Sequence, residues 1–205
     1  MAVINGDPGN NLLNGTSEAD EIFGFAGDDT LNGLEANDTL NGNEGNDTVL
    51  GNIDDDIVRG GRGNDSLVGD RGNDVLFGDL GADTLTGGEG RDLFVIRSNF
   101  ISDTAGLTDN INDFVDNQDL IGLDNLNFAD LTFLPDGSNH TIIQNNLTGE
   151  TLAVLSGINP AQITEADFTN TLNPFPETAF INGLASGDTT QTSTVLWTRS
   201  LILGR

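Results

Sequence analysis

The chain contains no cysteine and no lysine. The first absence removes disulfides and thiolate metal sites from any account of its stability. The second leaves seven arginines as the whole basic complement, against 33 Asp and Glu in 205 residues. A formal charge of −26 argues against nucleic acid and against anionic membranes as partners, since both need basic patches. It argues for cationic partners or a medium that screens carboxylates. No apolar run approaches the roughly 18 residues of a membrane helix, so no membrane insertion is expected. The segment Met1-Ala2-Val3-Ile4-Asn5-Gly6-Asp7 lacks the basic region and apolar run of a cleavable signal peptide. His140 is the single histidine. It has no cysteine and no serine in a nucleophile-elbow context to work with. HExxH, P-loop and dinucleotide motifs are missing as well. No catalytic residue is identified, and the chain as it stands is expected not to be an enzyme.

What the chain does have is a period of nine. An acid recurs at Asp20, Asp29, Asp38, Asp47, Asp56, Asp65, Asp74, Asp83 and Asp92. Two residues after each acid comes one large apolar side chain: Ile22, Leu31, Leu40, Val49, Val58, Leu67, Leu76, Leu85 and Phe94. Four residues after each of the first eight acids comes a glycine, from Gly24 to Gly87. Three residue types locked to one period specify a stacked coil with one turn and one short strand per repeat. A disordered Gly/Asn/Asp-rich linker would not hold its apolar residues in fixed phase. A metal-free solenoid would not need an acid in every turn.

A clean unit is Gly60-Gly61-Arg62-Gly63-Asn64-Asp65-Ser66-Leu67-Val68. Glycines permit positive φ and let carbonyls crowd around a point without Cβ clashes. The aspartate adds an anionic oxygen, and hard Ca²⁺ takes several carboxylate and carbonyl oxygens in flexible geometry. An EF-hand is excluded, because there are no helix-forming flanks and no twelve-residue loop ending in Glu. The residue two after the acid should point inward from a strand, with outward neighbours that are mostly Thr, Ser or Asn in the early repeats. One aliphatic residue per repeat is a thin core. At ~25 cal/mol per Å² it cannot offset the conformational entropy of so many glycines. Metal binding must then contribute to folding, and the metal-free chain is expected to be largely unfolded.

The nonapeptide GGxGxDxUx seen in these units resembles the RTX (hemolysin-type) calcium-binding repeats of secreted bacterial proteins. The resemblance implies an all-β fold, a parallel β-roll followed by a β-rich capping region, with several Ca²⁺ ions between stacked turns. It implies one row of turns through Asp29, Asp47, Asp65 and Asp83, and a second through Asp20, Asp38, Asp56, Asp74 and Asp92. It adds Asp70 and Asp79, with Asn43 and Asn52, as oxygen-bearing residues at the second turn position. The turn glycines Gly45, Gly63, Gly72, Gly81 and Gly90 complete the expected metal set. Glu18, Ala36 and Asp54 stand where a turn glycine is expected, and Asn11 stands at an acid position. The strongest sites are expected from Gly42 to Asp92, excluding the Ile53-Asp54 turn, with weak or empty ones near the N-terminus.

The phase ends at Asp92-Leu93-Phe94-Val95-Ile96. Residues 110–114, 119–123, 131–134, 140–143 and 152–155 then read as strands. Thr164 caps a single helical turn. This order resembles the β-rich region that follows the roll in many RTX proteins, and its expected task is to close the open end of the solenoid. Asp109, Asp113 and Asp119 are either turn formers or ligands of a further calcium site. Four segments result: a roll at 1–95, a cap at 96–168, a linker at 169–179 and a tail at 180–205. Within the tail, Gly183-Leu184-Ala185-Ser186-Gly187-Asp188 and Ser193-Thr194-Val195-Leu196-Trp197-Thr198-Arg199 resemble the start of PhoD-type alkaline phosphatases and phosphodiesterases. This implies a truncated β-sandwich that stops before any metal ligand of that family.

The leading expectation is reversible calcium binding that drives folding of a secreted bacterial protein. The RTX resemblance implies export through a type I secretion apparatus, without a cleavable leader. Two alternatives stand beside it: the non-catalytic front portion of an extracellular PhoD-type alkaline phosphatase, and a structural adhesin or surface-layer module held at the cell surface.

Overall fold

The computed structural model describes residues 1–98 and 108–172. The phosphatase-like tail, and the linker beyond Leu172, lie outside the described residues. Seventeen strands occur among them. The roll contributes β1 (Val3–Asn5), β2 (Leu12–Asn14), β3 (Glu21–Ala26), β4 (Thr30–Leu34), β5 (Thr39–Glu44) and β6 (Thr48–Ile53). It continues with β7 (Ile57–Arg62), β8 (Ser66–Arg71), β9 (Val75–Leu80), β10 (Thr84–Glu89) and β11 (Leu93–Arg97). After it come β12 (Asp109–Ile111), β13 (Leu120–Asp124), β14 (Leu131–Pro135), β15 (Thr141–Asn145), β16 (Thr151–Leu155) and β17 (Phe168–Thr169).

Successive strands of the roll go to opposite sheets. One sheet runs β1-β3-β5-β7-β9-β11-β13-β17, and the other β14-β15-β16-β12-β10-β8-β6-β4-β2. One coil is therefore two repeats, and each residue pairs in parallel with the one eighteen further on, as Leu40 with Val58 and Val49 with Leu67. The fold is the all-β parallel roll expected from the repeat.

The pleat explains the burial. The apolar residue of each repeat points inward, and the nine from Ile22 to Phe94 are all at most 1% exposed. They form two facing ladders, one per sheet. The ladders outlast the nine-residue phase: Ile111 stacks on Leu85 and Ile121 on Phe94, at spacings of 26 and 27 instead of 18. Leu155 and Phe168 then add to Ile111 and Ile121. The antiparallel run β14–β15–β16 and a packed group of three rings, Phe128, Phe133 and Phe168, with centroids 5.0–5.6 Å apart, lie at this end. Thr164 precedes a 3-10 turn at Glu165–Asp167 and closes it through Asp167, whose Oδ2 accepts the Thr164 N–H at 2.7 Å and Oγ1–H at 3.0 Å.

The outer faces differ. On β4, β6, β8 and β10 the outward stack is Thr30, Thr48, Ser66 and Thr84. On β7, β9, β11 and β13 it is Ile57, Val75, Leu93 and Leu120. Val75, Leu93 and Val95 form a second buried cluster there, with Phe77 and Leu172 packed against it. Beside it Asp79 receives both Arg59 and Arg97. The Arg59 Nε and Nη2 donate to its two oxygens, the Nη2 bond being 2.9 Å, and Arg97 Nη1 stands 3.1 Å away. Arg59 also lies 5.3 Å over the Phe77 ring. Three successive coils are joined by this group.

Candidate metal centre

The turns between strands stack into two rows, and each row is threaded by its aspartates. The Oδ1 of every acid accepts the backbone N–H of the residue one coil earlier. In one row the chain runs from Asn11 N–H to Asp29, Asp29 to Asp47, Asp47 to Asp65 and Asp65 to Asp83, at 2.7–2.8 Å. In the other it runs from Ala2 N–H to Asp20, then through Asp38, Asp56 and Asp74 to Asp92, at 2.6–2.9 Å. A second, exposed ladder runs the other way at the preceding residue, where side-chain oxygens of Asp28, Asn46 and Asn64 accept N–H groups one coil later.

The nine aspartates are at most 3% exposed. Seven of them, Asp29, Asp38, Asp47, Asp56, Asp65, Asp74 and Asp83, leave the buried Oδ2 without any hydrogen-bond partner. Buried carboxylate oxygens without a donor are costly and call for an ion. Each Oδ2 reaches back across its own turn to the glycine that opens it. A Cβ built on Gly60 would stand 2.8 Å from Asp65 Cγ and 2.9 Å from its Cβ. The opening glycines are therefore required for space. None of those from Gly24 to Gly87 has a positive φ, so of the two roles expected of turn glycines these serve only to leave room for the carboxylate.

That burden falls on the second turn position. Phe25, Leu34, Asn43, Asn52, Gly61, Asp70, Asp79 and Gly88 all have φ between 73° and 113°. Asn, Asp and Gly tolerate this region, whereas Phe25 and Leu34 are strained there. At the fourth position the backbone closes on its neighbour. A Cβ on Gly63 would stand 2.6 Å from the Gly45 carbonyl carbon, one on Gly81 2.7 Å from that of Gly63, and one on Gly90 2.6 Å from that of Gly72. Ala36 and Asp54, which replace glycine here, take φ of 75° and 78°.

Among the described residues no three Asp, Glu or His side chains converge on one point. A cation between the turns would draw most of its oxygens from backbone carbonyls, with aspartates from consecutive coils supplying charge. This all-oxygen, glycine-lined donor set fits calcium. Burial is the main reason that the carboxyls sit high. Asp38 and Asp47 are pushed up to about 6, Asp65 and Asp92 to about 7, Asp74 to about 8 and Asp56 to about 9. Asp29 and the pair Asp83 and Asp109 are raised for the same reason. Asp20 goes the other way, held down first by the Ala2 N–H.

Of the two acids expected at the second position, Asp70 is exposed on the turn surface. Asp79 is engaged by Arg59 and Arg97, with its side chain 6% exposed. In the acidic triplet the carboxylates diverge: Asp54 Oδ2 accepts the Ala36 N–H, Asp55 Oδ1 that of Asn73, and Asp56 Oδ1 that of Asp38. Two further acids join the rows. Asp109 Oδ1 accepts the Asp83 N–H at 3.1 Å and Asp119 Oδ1 the Asp92 N–H at 3.0 Å. Both keep the acid-x-apolar spacing, to Ile111 and Ile121. That spacing is the sequence signal that separates them from ordinary turn formers. Asp113 instead receives the Gly87 and Gly88 N–H groups, both at 2.9 Å.

Residues 5–40, 32–67 and 59–94 match the family model described as RTX calcium-binding nonapeptide repeat (4 copies). The matched segment of the chain is thus built of RTX calcium-binding repeats. Comparison with curated proteins finds no match. Among solved structures, the chain is similar to the AlgE6R3 subunit of the Azotobacter vinelandii mannuronan C5-epimerase, at 22% identity and a TM-score of 0.43, covering 87% of this chain and 89% of that one. It is also similar to the extracellular lipase LipA from Serratia marcescens, at 15% identity and a TM-score of 0.35, covering 80% of this chain and 38% of the lipase. Among the described residues no helix is long and apolar enough to cross a membrane.

Proposed function

We propose that the chain binds several calcium ions in the interior turns of its roll, and that these ions complete its folding after export from a bacterial cell. The observation that carries this reading is the set of seven buried aspartate Oδ2 atoms without a donor. Aspartates one coil apart in each row, with carbonyls of turn residues such as Gly45, Gly63, Gly72, Gly81 and Gly90, would hold the ions. Bound calcium supplies positive charge and coordination positions for oxygens that the protein's own N–H groups do not reach. The chain's own part is to stack the turns in register, exclude water from the acids and keep Cβ atoms out of the turns.

Calcium is scarce in the cytosol and near millimolar outside, and extracellular calcium modules bind at about 10⁻⁴–10⁻³ M. A chain that is loose inside and folds outside suits passage through a type I secretion apparatus. The roll and its cap act as a binding and folding module and carry out no catalysis. The test is far-UV circular dichroism during a Ca²⁺ titration, with Mg²⁺ as the control because its small octahedral sphere does not suit carbonyl-rich turns. A cooperative coil-to-β transition with calcium alone is expected. β structure unchanged by a chelator would refute the reading.

A further inference from the structure

The turns of the roll are of two kinds. In all eight from Gly24 to Asp92 the second residue has a left-handed φ, and in seven of them the acid's Oδ2 meets no donor. The end turns are built differently. Thr16, at the second position of the turn that leads to Asp20, donates its N–H to Asp20 Oδ2 at 2.7 Å and its Oγ1–H to the same oxygen at 2.8 Å. At the other end of this row, Val115 N–H donates to Asp119 Oδ2 at 2.8 Å, and Gln118 Nε2 donates to the carbonyl of Gly90. The first turn of the other row closes in the same way. Asp7 N–H donates to Asn11 Oδ1 at 2.7 Å, and Asn11 Nδ2 returns a bond to Asp7 Oδ1 at 3.2 Å. The turn before Asp109 lies outside the described residues.

Sequence accounts for the difference. None of Asp7, Thr16 and Val115 has a positive φ. Thr16 and Val115 are β-branched and disfavour left-handed backbone strongly. Asp7 precedes Pro8, which drives it to extended backbone. With φ negative, the second residue's N–H closes back on the oxygen of the acid-position side chain. With φ positive, that oxygen is left without a donor.

We infer that these three end turns take no cation: their own N–H and side-chain donors fill the place that calcium takes in the interior turns. Row ends otherwise have a neighbouring coil on one side only, so a site there would hold half of its carbonyls. Self-closed turns end the rows without one. The inference rests on the calcium reading of the interior turns and specifies where that binding stops.

The test is native mass spectrometry of the full chain saturated with calcium, counting ions in the unaltered protein and in Asp20→Asn, Asp119→Asn and Asp65→Asn. Asparagine keeps the shape and an Oδ1 acceptor, and it removes the charge that a cation needs. Asp65→Asn is expected to bind at least one ion fewer. Asp20→Asn and Asp119→Asn are expected to keep the full count. Loss of an ion from either end variant, alongside loss from Asp65→Asn, overturns the inference and leaves the calcium reading standing. An undiminished count in Asp65→Asn overturns the calcium reading of the interior turns, and the inference with it.

Discussion

Replacing Gly60 by alanine separates two explanations of the opening glycine. On backbone entropy alone, Gly60→Ala in a strand would be stabilising, by about 0.5–1 kcal/mol, since glycine loses more entropy on folding. Gly60 has no positive φ to protect. The structure gives the opposite sign. The new methyl would meet Asp65 Oδ2 and lie 2.8 Å from Cγ and 2.9 Å from Cβ. With the Cβ itself in the way, rotation about the carboxyl end gives no relief, and the whole Asp65 side chain must leave the turn. Overpacking of this kind costs about 1–3 kcal/mol, and a displaced Asp65 also abandons the Asp47 N–H that it accepts at 2.7 Å. Taken as about 2–3 kcal/mol of folding free energy, this raises the calcium concentration at the folding midpoint well above that of the unaltered chain. The assay is the calcium titration followed by circular dichroism, run on Gly60→Ala, Asp65→Ala and the double variant. In the Asp65→Ala background the Gly60→Ala effect should shrink to near zero, because its collision partner is gone. A Gly60→Ala chain that folds at the same or lower calcium concentration refutes the reasoning, as does a full effect that persists without Asp65.

Acidity should act with opposite signs on the two forms. Burial raises the row aspartates, Asp38 and Asp47 to about 6 and Asp56 to about 9. In chelator the folded roll then binds more protons than the unfolded chain, so it gains stability as pH falls from about 9 toward about 4 and loses it as pH rises through that window. Ligand carboxylates must be ionised, so calcium affinity falls over the same descent. Metal-free β content that is highest at alkaline pH, read by circular dichroism, contradicts this. Leu34→Asn relieves a side chain at φ 86° and should stabilise the calcium-loaded roll by about 1 kcal/mol; an unchanged or lower urea midpoint counts against strain there. Asp79→Asn breaks the contacts to Arg59 and Arg97 and should cost about 1–3 kcal/mol in the same urea assay, whereas an unchanged midpoint shows that the three coils hold without it.

The roll was readable from sequence because its core is one residue thick. A single apolar position per repeat, Ile22 to Phe94, defines both ladders, so the period gives strand and face, while the sorting of turns into two rows comes from the RTX resemblance. Past the end of the period, at residues 110–155, the strands are still legible, but their place in the two rows is not. Asp109 and Asp119 continue the rows at spacings of 26 and 27, because the intervening loops are longer while the acid-x-apolar pair is kept. Sequence offers the turn glycines two roles, left-handed backbone and room without Cβ clashes, and does not show that at the opening position it is a carboxylate that needs the room. For the same reason nothing marked Phe25 and Leu34 as left-handed residues. The apolar stack Ile57, Val75, Leu93 and Leu120 was hidden among polar neighbours, because alternate repeats belong to different sheets and only sorting them by sheet brings it out.

Pairing between residues eighteen apart makes the coil, not the nonapeptide, the unit in which this chain can lengthen or shorten. A duplicated pair of repeats slides everything downstream by one coil and leaves every residue in its own sheet. A single duplicated repeat after β7 would send all later strands to the opposite sheet. Asp79 would part from Arg59, and Val75 and Leu93 would lose Ile57 as the foot of their stack. The motif permits growth by nine residues, but the contacts between coils reject it. Natural variants of this roll should differ in length by multiples of eighteen residues wherever the added or lost sequence lies between Arg59 and Leu93, before the coils lengthen to spacings of 26 and 27.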